Sequence, residues 1–213
     1  MTQRGGSPVA IPPNDPAQMP ILGEPLPVEL ANRLYVAASG VVDFLGTADL
    51  VRSWFAHAPA AATARCPVRL TRLQVEDVRE LRTAVRCALD AAVTGSGSRP
   101  RDVATLNRHA GASSCRVQLE WSAGGTPRQR VVHVGTPIDV LLAHLACAAI
   151  ALLTGPDLTL LHRCEHLDCE MLFVQQQQHH RRRFCSAGCS HRFRQYRYYR
   201  TKASDHAVTG RCS

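Results

Sequence analysis

Four of the nine cysteines, Cys164, Cys169, Cys185 and Cys189, fall into two close pairs, C-x4-C and C-x3-C, with fifteen residues between them. Zinc takes four thiolate or imidazole ligands in a tetrahedron, and ligands paired closely in sequence let one tight turn present two sulfurs. The quartet therefore predicts one structural Zn2+ held by all four cysteines. A closed four-thiolate site leaves no position for water, so this is not a catalytic zinc. The alternatives are four metal-free thiols or two disulfides. The metal is favoured because both pairs lie in one arginine-rich segment and the redox spacing C-x-x-C is absent. His166 and His191 stand close enough in sequence to replace a cysteine ligand.

Charge marks the same segment. Residues 1–161 carry 15 Arg/Lys and 13 Asp/Glu, a balance of +2, whereas residues 162–213 carry 10 and 4, a balance of +6. Four thiolates around Zn2+ contribute −2, which leaves the loaded module near +4 and still basic. From His179 to Lys202 there are eight basic residues and no acid. Such a block attracts a polyanion or serves as a solvated tail. Arginine forks match phosphates and guanine edges, and tyrosines stack on bases. The candidate nucleic-acid contacts are Arg181, Arg182, Arg183, His191, Arg192, Arg194, Arg197, Arg200 and Lys202.

Elements must position these groups. Met171–Val174 and Arg182–Phe184 read as the two strands of a short hairpin, followed by a basic helix from about Cys189 to Ala203. Upstream, Thr71 to Val93 has the clearest helical stripe, with Val75, Val78, Leu81, Val85 and Leu89 inward. Thr47 caps a short helix carrying Leu50, Val51, Trp54 and Phe55. Pro100 to Ala110 reads as another helix, through Val103 and Leu106. Cys115, Val117, Leu119 and Trp121 alternate with polar residues as a half-buried strand does, and Arg130 to Val134 returns as its partner. Thr136 caps a further apolar helix that starts at Pro137 and ends before Gly155. The fold class is α+β: a mainly helical body with an inserted β-hairpin, then a small zinc-finger module.

The remaining cysteines need no chemistry. Cys66, Cys87, Cys115 and Cys147 read as small buried hydrophobes, and Cys212 lies in the terminal tail. Residues 1–27 hold seven of the thirteen prolines and no apolar periodicity, as a disordered leader would. They lack the pattern of a signal peptide, and Val140–Leu153 is too short to span a bilayer, which places the protein in the cytoplasm without a membrane partner. No phosphate loop, nucleophile elbow or HExxH motif is present, so no enzyme is expected. Glu76-Asp77 reads as a solvated helix surface, and His133 and His144 as core histidines.

The tail Arg163, Cys164, Cys169, Phe173, Arg182-Arg183-Phe184-Cys185-Ser186, Cys189-Ser190-His191-Arg192, Tyr196-Arg197 and Arg200 resembles the CGNR zinc finger. Leu30-Ala31-Asn32, Val42-Asp43-Phe44-Leu45-Gly46-Thr47-Ala48-Asp49-Leu50 and Trp54 resemble the opening of the ABATE domain, which precedes that finger in bacterial stress-induced transcription regulators. The signature tetrapeptide reads Cys-Ser-His-Arg here, keeping its first and last residues, and the C-x3-C loop is one residue shorter than usual. Contacts made through a Gly-Asn pair are therefore not carried over. The implied organisation is a leader over 1–27, an ABATE-like domain over 28–161, a CGNR-like finger over 162–203 and a tail over 204–213. The body is expected to fold without the finger. The resemblance implies a DNA-binding transcriptional regulator whose body senses a signal or forms a homodimer. An RNA-binding or protein-interaction zinc module is the alternative.

Overall fold

In a computed structural model, residues 21–37, 40–57, 66–175 and 182–209 are described; of 35–37, 40 and 200–209 only the backbone is. Helix formation is decided locally at several ends. Thr71 Oγ1 accepts from Gln74 N while Gln74 Oε1 accepts from Thr71 N, a reciprocal box that starts α3 (Arg72–Thr94). The helix stops at Gly95, whose φ of 69° is left-handed. The same box, between Thr136 and Asp139, starts α5 (Pro137–Thr154). Arg99 and the proline at Pro100 open α4 (Pro100–Ala110).

These helices close on one core with α1 (Leu26–Ala31) and α2 (Ala48–His57). Val78, Leu81, Val85 and Leu89 of α3 meet Leu141, Leu142, Leu145 and Ala149 of α5 there. By length and composition α5 is apolar enough to cross a membrane, and here half of it is buried inside the molecule. Every residue of α1 is buried, including Glu29, whose Oε2 is 2.5 Å from Arg33 Nη2. Asp43 ties the segment before α2 to α3 through ion pairs with Arg82 and Arg79.

Three antiparallel two-stranded sheets complete the described residues: β1 (Leu34–Ala37) with β2 (Gly40–Asp43), β3 (Ser114–Glu120) with β4 (Arg128–Val134), and β5 (Leu161–Arg163) with β6 (Leu172–Val174). A 3-10 helix, Pro156–Leu160, joins α5 to β5, and α6 (Ala187–Thr209) ends the fold. The molecule is mainly helical α+β, as the sequence pattern predicts.

Several expectations are corrected. The hairpin β3–β4 is not half-buried; it is exposed on both faces because it projects from the body. Cys115, on that hairpin, and Cys147, on the outer side of α5, are exposed, and Cys66 and Cys87 are only partly buried. Val103 is 43% exposed, since α4 turns Leu106 and His109 inward instead. His133 lies on the exposed hairpin and His144 is half-buried. The strand Leu172–Val174 pairs with Leu161–Arg163, not with Arg182–Phe184, because both paired strands lay apolar side chains on the core. Order begins before Val28: Glu24 is 5% exposed and α1 starts at Leu26. Residues 1–20, Arg181 and Cys212 lie outside the described residues.

Candidate metal centre

The turn between β5 and β6 carries the first cysteine pair, and the start of α6 carries the second. Cys164 N donates to Met171 O at 2.9 Å, and Cys169 N to His166 O at 3.0 Å, folding the C-x4-C loop back on itself. Ser186 Oγ accepts from Cys189 N at 3.2 Å, in the first turn of α6. The second pair thus sits at a helix start, where first-turn N–H groups lack intrahelical partners and Ser186 Oγ takes the one of Cys189.

All four Sγ atoms lie within 4.8 Å of one another and all four cysteines are buried. Cys185 Sγ is 3.6 Å from Cys169 Sγ and 3.5 Å from Cys189 Sγ. A disulfide needs about 2.05 Å, whereas ligands about 2.3 Å from a tetrahedral zinc stand about 3.8 Å apart. The donor set and its spacing fit one structural Zn2+, whose chemistry is to hold the two halves of the module together. Of the alternative ligands, His166 Nδ1 accepts from Asp168 N at 3.2 Å and His191 is exposed.

Two of the sulfurs have N–H donors aimed at them. Cys185 N points at Cys164 Sγ at 3.4 Å, and Arg192 Nη2 at Cys189 Sγ at 3.1 Å. Hydrogen bonds from Cys169 and then Cys185 hold Cys164 down to about 7. Bonding to Cys164, Cys169 and Cys185 lowers Cys189, while bonding to Cys164 pushes Cys169 and Cys185 up.

The module does not stand apart from the body. Phe44 packs among Cys164, Cys169, Met171, Phe173, Cys185 and Cys189. Leu161, Leu172 and Val174 belong to the helical core. Asn32 and Glu24 bond the backbone of β6, and Asp90 holds Arg163 at 2.8 Å. Sequence reasoning missed these docking residues; a buried Asn or Glu carries no periodic signal.

The basic residues divide. Arg182 lies over the Phe173 ring at 4.6 Å, binds Glu24 Oε1 at 2.9 Å and donates to the Phe184 and Cys185 carbonyls. Arg183 pairs with Glu165, its Nε 2.7 Å from Oε2, beside the Phe184 and Phe193 rings. Arg192 faces the sulfurs. These three arginines have partners inside the module; His191, Arg194 and Arg197 are exposed on α6 along with Tyr196, Tyr198 and Tyr199. Arg200 and Lys202 follow on the same helix, described by backbone alone.

Two family models match the chain. One is ABATE, described as a putative stress-induced transcription regulator, over residues 24–156. The other is the CGNR zinc finger, over residues 161–202. Both describe regulatory or zinc-finger proteins, not enzymes. No curated protein shows significant similarity to the chain.

Proposed function

The chain belongs to the ABATE family and carries its CGNR zinc finger, and from that premise we propose that it is a DNA-binding transcriptional regulator of the cytoplasm. Residues 162–203 supply the DNA contact, and residues 28–161 act as the sensing or pairing body. The observation that carries the reading is the start of α6 at the metal centre: Cys189 lies in its first turn, so zinc fixes the direction in which the helix presents its basic residues. Phosphate contacts come from Arg194, Arg197, Arg200 and Lys202. His191 and the α6 tyrosines supply stacking and polar contacts. Arg182, Arg183 and Arg192 add to the positive field while holding the module together, and Arg181 adds one more positive charge to the sequence of the module.

Fluorescence anisotropy with duplex DNA over a salt series tests this. Each phosphate contact contributes about 0.9 to the slope of log K against log salt, so Arg197→Ala with Arg200→Ala should weaken binding and reduce that slope by about 2. An unchanged slope places the contact elsewhere. Tighter binding to single- or double-stranded RNA of the same length would favour the RNA-binding alternative. Mapping bound sites across the genome then reports sequence preference.

A further inference from the structure

No residue of β3 is buried, and β4 is exposed at every position except Val132, which is half-buried. Neither strand pairs with any other strand among the described residues. Val117, Leu119 and Trp121 stand 66%, 69% and 67% exposed. Alternation puts Val117 and Leu119 on one face, Trp121 follows directly after the strand, and the register sets Val131 opposite Val117 on that face. A two-stranded hairpin with no packed face is marginally stable by itself, and its open edges present unpaired N–H and C=O groups.

We infer that the open edge of β3 is where two copies of this chain pair, antiparallel about a two-fold axis at Gln118, to make a four-stranded sheet. The charges select both the edge and the register. β4 carries Arg128 and Arg130 and no acid, so pairing β4 with itself gathers four arginines on one face. β3 carries one charge of each sign, Arg116 and Glu120. An axis at Arg116 sets arginine against arginine, and one at Val117 or Leu119 leaves Arg116 opposite an uncharged residue. The axis at Gln118 sets Arg116 opposite the partner's Glu120, twice by symmetry, and Val117 opposite the partner's Leu119.

The side chains are ready for that arrangement. Arg116 has no ion-pair partner among the described residues. Glu120 Oε1 takes Arg130 Nη1 at 3.0 Å, and a carboxylate retains acceptor capacity at its second oxygen. Across the paired edges the apolar residues of both copies form one continuous strip, with Trp121 beside the partner's Cys115. An isologous interface of this kind closes at two copies and does not propagate through β4.

The inference rests on the reading of the body as a pairing unit, and it is tested without nucleic acid so that it stands or falls apart from DNA contact. The zinc-loaded full chain should sediment at twice its mass of 23.3 kDa, and Arg116→Glu should return it to the monomer. For the register, the exposed Cys115 and Cys147 are first replaced by serine. Directly opposed residues have Cα atoms about 4.5–5.5 Å apart, inside disulfide range, whereas diagonal ones are about 7–8 Å apart. Gln118→Cys should therefore crosslink two chains on mild oxidation and Val117→Cys should not. A monomer at every concentration, a dimer that survives Arg116→Glu, or equal crosslinking at both positions overturns the inference.

Discussion

The carboxamide of Asn32 and the backbone of Leu172 bond each other twice: Asn32 Nδ2 donates to Leu172 O at 2.9 Å, and Leu172 N donates to Asn32 Oδ1 at 3.0 Å. Neither residue has accessible surface. One side chain at the end of α1 thus extends the β5–β6 sheet as a third strand would, and it joins the body to the metal module across 140 residues of sequence.

Asn32→Ala should cost about 2–4 kcal/mol, because it leaves a buried N–H and a buried C=O without partners. Urea unfolding of the zinc-loaded protein measures this. A cost below that of an ordinary surface substitution would show that the amide pair is dispensable.

Cutting the chain after Leu161 should lower the denaturant midpoint of the body. Leu172 and Val174 leave the shared core, at about 1.5–3 kcal/mol each, and Asn32 and Glu24 lose their backbone partners. These shared contacts predict a body that folds without the finger but is less stable than in the full chain. A truncated body with the full-length midpoint would overturn this.

Metal analysis of thiol-protected protein should give one zinc per chain, lost in Cys185→Ser. Arg192→Gln removes the donor to Cys189 Sγ and should weaken zinc retention roughly 10–100-fold, as loss of groups that orient metal ligands does. Competition with a chromogenic chelator reads this directly. Zinc removal should also release α6 from its fixed start, seen as faster amide exchange after Cys189.

Acid sensitivity should begin near pH 6.5 through His109. The residue is 5% exposed, and burial first, then Arg108, hold its imidazole below the ordinary 6.5. The unfolded chain takes up a proton near 6.5 that the folded one resists. Stability from this group is therefore complete above pH 6.5 and falls as the pH drops toward the folded value. The difference in unfolding free energy between wild type and His109→Gln should be flat above 6.5 and change below it. A difference independent of pH would remove His109 from this role.

Much of the fold was legible because its signals are local. The boxes at Thr71 and Thr136, the proline at Pro100 and the glycine at Gly95 act within a few residues, and they set helix ends wherever the chain lies. The metal ligands were legible for the same reason: each pair of cysteines is a local turn. The burial of Val103, Cys115 and Cys147 was not, because periodicity tells which residues share a face and not whether another element covers it.

The sequence by itself determined a helical body, a four-cysteine zinc site and a basic helix that follows it. Tertiary structure alone decided which strand β6 joins, that Arg182 is held by Glu24 and Phe173, and that Asn32 bridges body and module. The reason is physical: spacing and capping act through bonds along the chain, whereas a buried amide or an ion pair spanning 158 residues exists only once the core has brought its partners together.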